Sequence, residues 1–371
     1  METDLLIIGG GPAGLNAAYE AASHGVKIII VDESFSLGGQ LRQQTQVLDN
    51  LPKQFEQQRG TALVKVLIER LKPLDVKVLL KHTMIGVYKD GRIGVSNGEE
   101  TIPITAKKVL VTTGAAEEAT VFPGWTLPGI MTIGAAQILM NRDHVIPGRH
   151  ALIFGSNTFS LEVAKQLNEA GVKILGIIEN GSQLKSSNDV LLQQIKAAHI
   201  PIYINSYIMN AAGTGEVEKV VINHDGVEEH FNVDLICIGK GVTPILEPFE
   251  ILDCKFTYQE ALGGWLPQYA KSMETSNPST YVAGNAAGIT SMGAILLTGE
   301  IAAVNVIESL GTLGNEQIME KKACLWKELN RIEENAAHVF DARVTLIKAF
   351  HKERNLPLAF FRNELGEVLN G

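Results

Sequence analysis

The chain has 371 residues, 45% of them hydrophobic and 20% charged, enough for two or three domains with ordinary cores. A net charge of −9 and a pI near 5.6 argue against nucleic acid or an acidic membrane surface as partner. A first strand within five residues of Met1 leaves no room for a signal peptide, and no uninterrupted apolar run approaches the ~20 residues of a membrane span, so a cytoplasmic protein with no membrane span is expected.

The first element is the apolar strand Asp4–Ile8, followed by Gly9-Gly10-Gly11-Pro12-Ala13-Gly14 and an alanine-rich helical run through Ala22. A second apolar strand, Val26–Val31, ends in Asp32-Glu33. This is a β-α-β unit with Gly-x-Gly-x-x-Gly at its first turn and an acid about 20 residues on, the fingerprint of dinucleotide binding. Gly9 permits the tight turn, Gly11 lets a pyrophosphate approach the backbone, and Gly14 lets helix and strand pack closely. Pro12 and Ala13 start the helix, whose free N–H groups and positive dipole end suit phosphate. Asp32 or Glu33 can accept hydrogen bonds from a ribose.

After Gln40 a polar stretch, Arg42–Arg59, leads to a helix over Thr61–Leu71 and strands at Val76–Leu80, Met84–Tyr88 and Arg92–Ser96. Asp90-Gly91 predicts a type I′ hairpin turn between the last two. Val109–Ala115 reads as a buried strand ending in a turn. The pattern then restarts: strand His150–Phe154, turn Gly155–Ser160, helix Leu161–Ala170, and strand Val172–Ile178 ending at Glu179. Strands Val217–Asn223 and Glu229–Val233 flank Asp225-Gly226, and Leu235–Ile238 follows. Thr280–Gly288 is a strand and turn leading into a long helix from Gly293 to Leu310. The last sixty residues read as two or three amphipathic helices broken near Pro357. One nucleotide-binding unit is therefore nested in another, and the fold class is α/β: two three-layer Rossmann-like units and a helical tail. The expected division is 1–117 and 244–312 for the outer unit, 118–243 for the insert and 313–371 for the tail.

Cys237, Cys254 and Cys324 form no C-x-x-C pair, which excludes a disulfide scaffold or a redox dithiol, and all three read as inert. The nine histidines carry no metal spacing and read as solvated loop residues. The apolar run Leu356–Phe361 is either a subunit contact or folds onto its own domain.

The order of Gly9–Gly14, Gly38-Gly39-Gln40-Leu41, Thr112-Thr113-Gly114-Ala115 and Gly284-Asn285 resembles the two-dinucleotide-binding-domain flavoproteins, the superfamily of thioredoxin reductase and glutathione reductase, over about residues 1–310. The run Phe122–Ile130 is similar to the FAD- and NAD-domain subunits of opine oxidase, hydrogen cyanide synthase, sarcosine oxidase and dye-linked proline dehydrogenase. The resemblance implies FAD in the outer unit. Gly9, Gly11 and Gly14 would hold its pyrophosphate and Asp32 or Glu33 its adenosine ribose. Gln40, Thr45 and Asn50 would line the flavin side, Gly284 and Asn285 would meet the ribityl chain and phosphate, and Gly39, Thr113 and Gly114 would also belong to the cofactor site. The helix after Asn285 would aim its N-terminus at the flavin pyrimidine ring.

Three departures stand out. Asn285 replaces the usual Asp and accepts less strongly than a carboxylate. In the insert Gly155 is followed by Asn157 and Ser160 where Gly is expected, while Glu179 favours NAD over NADP, so the second site would bind NAD, another adenine nucleotide or nothing. Thr132–Ile138 holds no cysteine where thioredoxin reductase carries its pair, which excludes a disulfide reductase. With Cys324 alone after Gly314, the tail cannot supply the four thiolates of the iron–sulfur cluster found in larger members of the amine-dehydrogenase group. The expected function is an FAD-dependent oxidoreductase serving as the electron-transfer subunit of an amino-acid or secondary-amine dehydrogenase, with a catalytic partner subunit or a homo-oligomer as its assembly. The alternatives are a stand-alone NAD(P)H-dependent flavin reductase and a non-catalytic nucleotide-binding subunit.

Overall fold

A computed structural model describes residues 1–48, 50–312 and 315–356, the Asn315 side chain excepted. The chain divides into two compact units, Met1–Ala116 with Thr243–Gly371, and Glu117–Val242. The α/β fold expected from the sequence is observed in both.

In the first unit five strands run parallel in the order Val76–Leu80, Ile28–Asp32, Glu2–Ile8, Thr101–Val111 and Thr280–Val282. The register places Ile8 beside both Val31 and Val111, so the loops that follow all three strands gather at one edge of the sheet. These strands are nearly continuous runs of Ile, Leu and Val because helices cover both faces. The first half of Thr101–Val111 extends beyond the expected strand and pairs antiparallel with Ile93–Ser96, which pairs in turn with Thr83–Val87. Here the expected type I′ turn is corrected. Gly91 N–H donates to the Tyr88 carbonyl (2.9 Å), and of Asp90 and Gly91 only Gly91 has a positive φ. The loop is thus three residues long with the glycine in the bulge position. Asp225-Gly226 does carry positive φ at both residues, and it joins strands paired His224 to Val227.

Helices Pro12–Ser23 and Met292–Leu310 cross closely because the contact is built from small residues. A Cβ on Gly299 would stand 2.3 Å from the Ala13 carbonyl oxygen. The Asn16 amide donates across the crossing to the Leu296 carbonyl (2.9 Å). Met292–Leu310 is long and apolar enough to cross a membrane, with mean hydropathy 1.4, but 83% of that window is buried, which makes it the core helix of this unit. The tail forms two long helices, Asn315–Ile332 and Ala337–Glu353, and Trp326, Leu329, Phe340 and Ile347 join the same core. Residues 357–371, and with them all of the apolar run except Leu356, lie outside the described residues.

The second unit has a parallel sheet in the order Ile130–Thr132, Leu235–Ile238, His150–Phe154, Lys173–Ile178 and Ile202–Tyr203, plus an antiparallel sheet of Ser206–Ala212, Lys219–His224 and Val227–Asn232. Its helix Thr158–Glu169 begins directly after Asn157, three residues earlier than expected from the sequence.

Candidate nucleotide sites

The glycine loop of the first unit is built as the steric reading requires. Gly9 has φ +107°, and its amide donates to the Val31 carbonyl (2.8 Å). A Cβ on Gly14 would lie 2.1 Å from the Gly9 carbonyl oxygen and 2.7 Å from Thr112 Oγ1, so only glycine lets the helix sit this close to the strand. Thr112, which the sequence reading left without a role, donates its hydroxyl to that same Gly9 carbonyl (2.7 Å) and fixes the turn. Gly11 is different: its φ of −75° suits any residue, and a Cβ there would meet nothing within 4 Å. Helix Pro12–Ser23 has no side-chain cap at Gly11 and no acid in its first turn. Its start is an open cradle with free N–H groups and a positive dipole end.

Adjacent carboxylates divide two tasks. Asp32 is 8% exposed, and its oxygens accept from the amides of Gly10 (2.6 Å) and Ser34 (2.8 Å). It organises the loop from within. Glu33 is exposed and has no hydrogen-bond partner among the described residues.

Gly39 packs a would-be Cβ 3.1 Å from Gly11 Cα, and Gly114 (φ +80°) faces open space. Gln40, exposed in the short helix Gly39–Gln43, accepts from the Gln43 amide, and the Thr45 carbonyl accepts from Arg59. Asn50 does not present a free amide: with φ +50° its Nδ2 donates to the Ile332 carbonyl (2.6 Å), a tie to the tail. Buried side-chain oxygens of Thr113, Gln44 and Gln46 have no partner among the described residues. Of these, the Thr113 hydroxyl belongs to the segment packed on the glycine loop at Gly9, and it fits a polar ligand that would satisfy it.

Gly284 (φ +69°) abuts the loop helix, its would-be Cβ 2.9 Å from Ala13 Cβ, and its amide donates to Thr298 Oγ1 (3.0 Å). Asn285 Oδ1 accepts from the Thr290 amide (3.1 Å). Helix Met292–Leu310 starts without a side-chain cap on Ser291 and without an acid in its first turn. Both helix starts are thus electropositive and without a side-chain cap, and the residues present fit a dinucleotide cofactor in this unit.

The second unit repeats the layout with the opposite outcome. A Cβ on Gly155 (φ +126°) would meet the Gly239 carbonyl oxygen at 2.0 Å, so the tight turn is kept. Asn157 then fills the place of the second glycine. Its Oδ1 accepts from the Ser160 amide (2.9 Å), and its Nδ2 donates to the Gly239 carbonyl (2.7 Å). Ser160, fully buried, donates its hydroxyl to the same carbonyl (2.8 Å). The Asn157 side chain caps the helix at the N–H of Ser160, where a phosphate oxygen would otherwise accept. Glu179, 1% exposed, accepts from Ser156 Oγ (2.6 Å) and the Gly181 amide (3.0 Å). Burial alone would raise its pKa, but those hydrogen bonds and the charges of Lys240 and Lys185 outweigh it and hold the carboxyl below its usual range. Glu179 corresponds to Asp32, and the exposed residue that follows is Asn180 rather than an acid. A pyridine dinucleotide would have to displace the Asn157 cap to reach this helix start.

Cys237 and Cys254 are buried and Cys324 is exposed, all three free, and burial pushes the Cys237 thiol pKa up. Among the described residues no group of three His, Cys, Asp or Glu side chains could hold a metal ion.

The family model for pyridine nucleotide-disulphide oxidoreductases matches residues 3–327. An opine oxidase subunit from Rhizobium meliloti is 25% identical over 83% of this chain and 71% of its own length. The HcnB subunit of hydrogen cyanide synthase from Pseudomonas protegens is 25% identical over 87% and 74%. The alpha subunit of sarcosine oxidase from R. meliloti is 28% identical over 83% of this chain but only 31% of the relative. Among solved structures, L-proline dehydrogenase from P. horikoshii superposes with a TM-score of 0.68 at 22% identity, covering 89% of this chain and 59% of that one. Thioredoxin reductase of T. acidophilum gives 0.69 at 20%, covering 83% and 99%. With its glycine loop, two uncapped helix starts and a family match over most of its length, the chain belongs to the pyridine nucleotide-disulphide oxidoreductase family and is an FAD-dependent oxidoreductase.

Proposed function

We propose that this chain is the FAD-binding electron-transfer subunit of an amino-acid or secondary-amine dehydrogenase complex, with the substrate oxidised on a partner chain. The observation that carries the reading is the contrast between the two glycine loops. The first opens on empty space at Gly11, and the second is filled by Asn157. A reductase fed by NADH needs both sites open; a subunit fed by a partner needs only the first. Similarity to proteins named as subunits of oxidases and of a synthase supports the same side.

Bound FAD supplies the two-electron acceptor. The residues of this chain bind and orient it. The first-turn amides of Pro12–Ser23 would take the pyrophosphate, Glu33 the adenosine ribose, and Asn285 with the buried Thr113 hydroxyl the ribityl and flavin side. The positive end of Met292–Leu310 would favour negative charge on a flavin held there.

The test is an absorbance spectrum of the purified protein before and after anaerobic NADH. Flavin bands that persist agree with the reading. Bleaching by NADH would overturn it in favour of a stand-alone reductase, and absence of flavin bands even after soaking in FAD would overturn the cofactor assignment.

A further inference from the structure

The turn between the two tail helices buries a charge pair. Arg343, 0% exposed, donates through Nη2 to Glu333 Oε1 (3.1 Å), and Glu333 is 1% exposed. Arg343 Nη1 also donates to the Tyr269 hydroxyl and to the Ala287 carbonyl, both at 3.1 Å, while Tyr269 donates to that carbonyl at 2.7 Å. Glu333 Oε1 accepts from the Thr290 hydroxyl, and the Thr290 amide donates to Asn285. One residue earlier, the Ile332 carbonyl takes the Asn50 amide. A Cβ on Gly293 would stand 2.3 Å from the Asn50 carbonyl oxygen and 2.9 Å from Ile332 Cδ1, so this turn rests on the start of helix Met292–Leu310.

Stability does not explain the pair. Taking two charges out of water costs several kcal/mol per ion, and an apolar pair of similar volume is often neutral or better. Here the cost is raised further, because Glu333 Oε2 and Arg343 Nε are buried without a partner among the described residues. What the pair does hold is specific. It grips the Ala287 carbonyl and the Thr290 hydroxyl, the middle and the end of the segment from Gly284 to helix Met292–Leu310. That segment abuts the glycine loop at Ala13. We propose that Glu333 and Arg343 are positioning residues of the FAD site, setting the Gly284–Thr290 loop and the helix start behind it, so that the tail is a working wall of the cofactor site. The inference rests on the FAD reading above.

The test is the double variant Glu333→Met/Arg343→Met beside the wild-type full chain. Apo stability is read by urea unfolding, FAD affinity by titration, and the flavin by its absorbance and midpoint potential. The expected result is a fold at least as stable as wild type, FAD bound about 10- to 100-fold more weakly, and a shifted spectrum and potential. A stable double variant with wild-type affinity, spectrum and potential would overturn the inference. Thr290→Val removes one grip while leaving the pair intact, and it decides the matter if the double variant does not fold: about tenfold weaker FAD binding supports the inference, and unchanged binding overturns it. A wild-type chain that takes up no FAD would overturn the cofactor reading itself, an outcome distinct from either.

Discussion

Gly11 and Gly14 lie three residues apart in one loop, and the structure assigns them opposite sensitivities. A Cβ on Gly11 meets no protein atom within 4 Å, and its φ of −75° is open to any residue. Gly11→Val therefore adds its side chain to the cradle and not to the core. As a change at a helix N-cap it costs the apo fold at most about 1 kcal/mol. The same side chain displaces a pyrophosphate from the first-turn amides. Hydrogen bonds to charged groups contribute about 1.5–3 kcal/mol each, so losing two raises the FAD dissociation constant by roughly 10² to 10⁴. Gly14→Ala does the reverse: its Cβ would lie 2.1 Å from the Gly9 carbonyl oxygen, and the helix must move away from the strand. We expect a loss of about 3 kcal/mol in apo stability. The assay is flavin absorbance per polypeptide after dialysis against FAD, paired with urea unfolding of the apo forms. A Gly11→Val protein that keeps full flavin would refute the assignment of the cradle, and one that unfolds would refute the claim that the space is empty.

Three further outcomes follow from the same geometry. Glu33→Gln should weaken FAD binding about tenfold and leave the urea midpoint alone, whereas Asp32→Asn should lower apo stability by about 2 kcal/mol, because Gly10 and Ser34 lose a charged acceptor; equal effects from the two would contradict the division of labour. Arg343→Met on its own strands the Glu333 carboxylate and should cost about 3–5 kcal/mol in urea unfolding, unlike the double variant. Glu300 has its pKa raised, first by burial and then by Glu20, against the pull of Lys321. Its protonated form is favoured in the folded state, so its contribution is fully present below the ordinary carboxylate range and is lost as pH rises through the raised value. Glu300→Gln should then be more stable than wild type at neutral pH, by about 2 °C in Tm, with the advantage vanishing on acidification through that window; a less stable variant at pH 7 would count against the reading.

The parts of the site that follow from sterics were legible in the sequence. A glycine needed for φ +107° at position 9, or for a 2.1 Å approach at position 14, announces itself because no other residue fits. Which of two adjacent carboxylates turns inward was not legible. Asp32 and Glu33 carry the same chemistry, and the choice is made by which face of the strand end looks back at Gly10. The hairpin at Lys89–Gly91 was misread because Asp-Gly suits two loop types that differ by one residue. The tail contributed least to the reading. Arg343 meets Tyr269 across 74 positions, and nothing local in an amphipathic helix marks one arginine as buried among so many solvated ones.

The second loop shows what a departure from a motif means physically. From sequence, Asn157 and Ser160 signify only added bulk where a phosphate would approach. In the fold the Asn157 amide oxygen takes the Ser160 N–H that a phosphate oxygen would otherwise accept from, while the Asn157 amide nitrogen and the Ser160 hydroxyl donate to the Gly239 carbonyl and tie the loop to the neighbouring strand end. A loop that merely lost its glycines would leave a buried helix start unsatisfied, at a cost in stability. This one satisfies its helix start internally, through Asn157. The first loop has no such internal cap, and the Thr113 hydroxyl beside it has no partner among the described residues. Added FAD should therefore raise the unfolding temperature of the protein while added NADH leaves it unchanged, and equal stabilisation by both would mean that Asn157 yields its place to a phosphate.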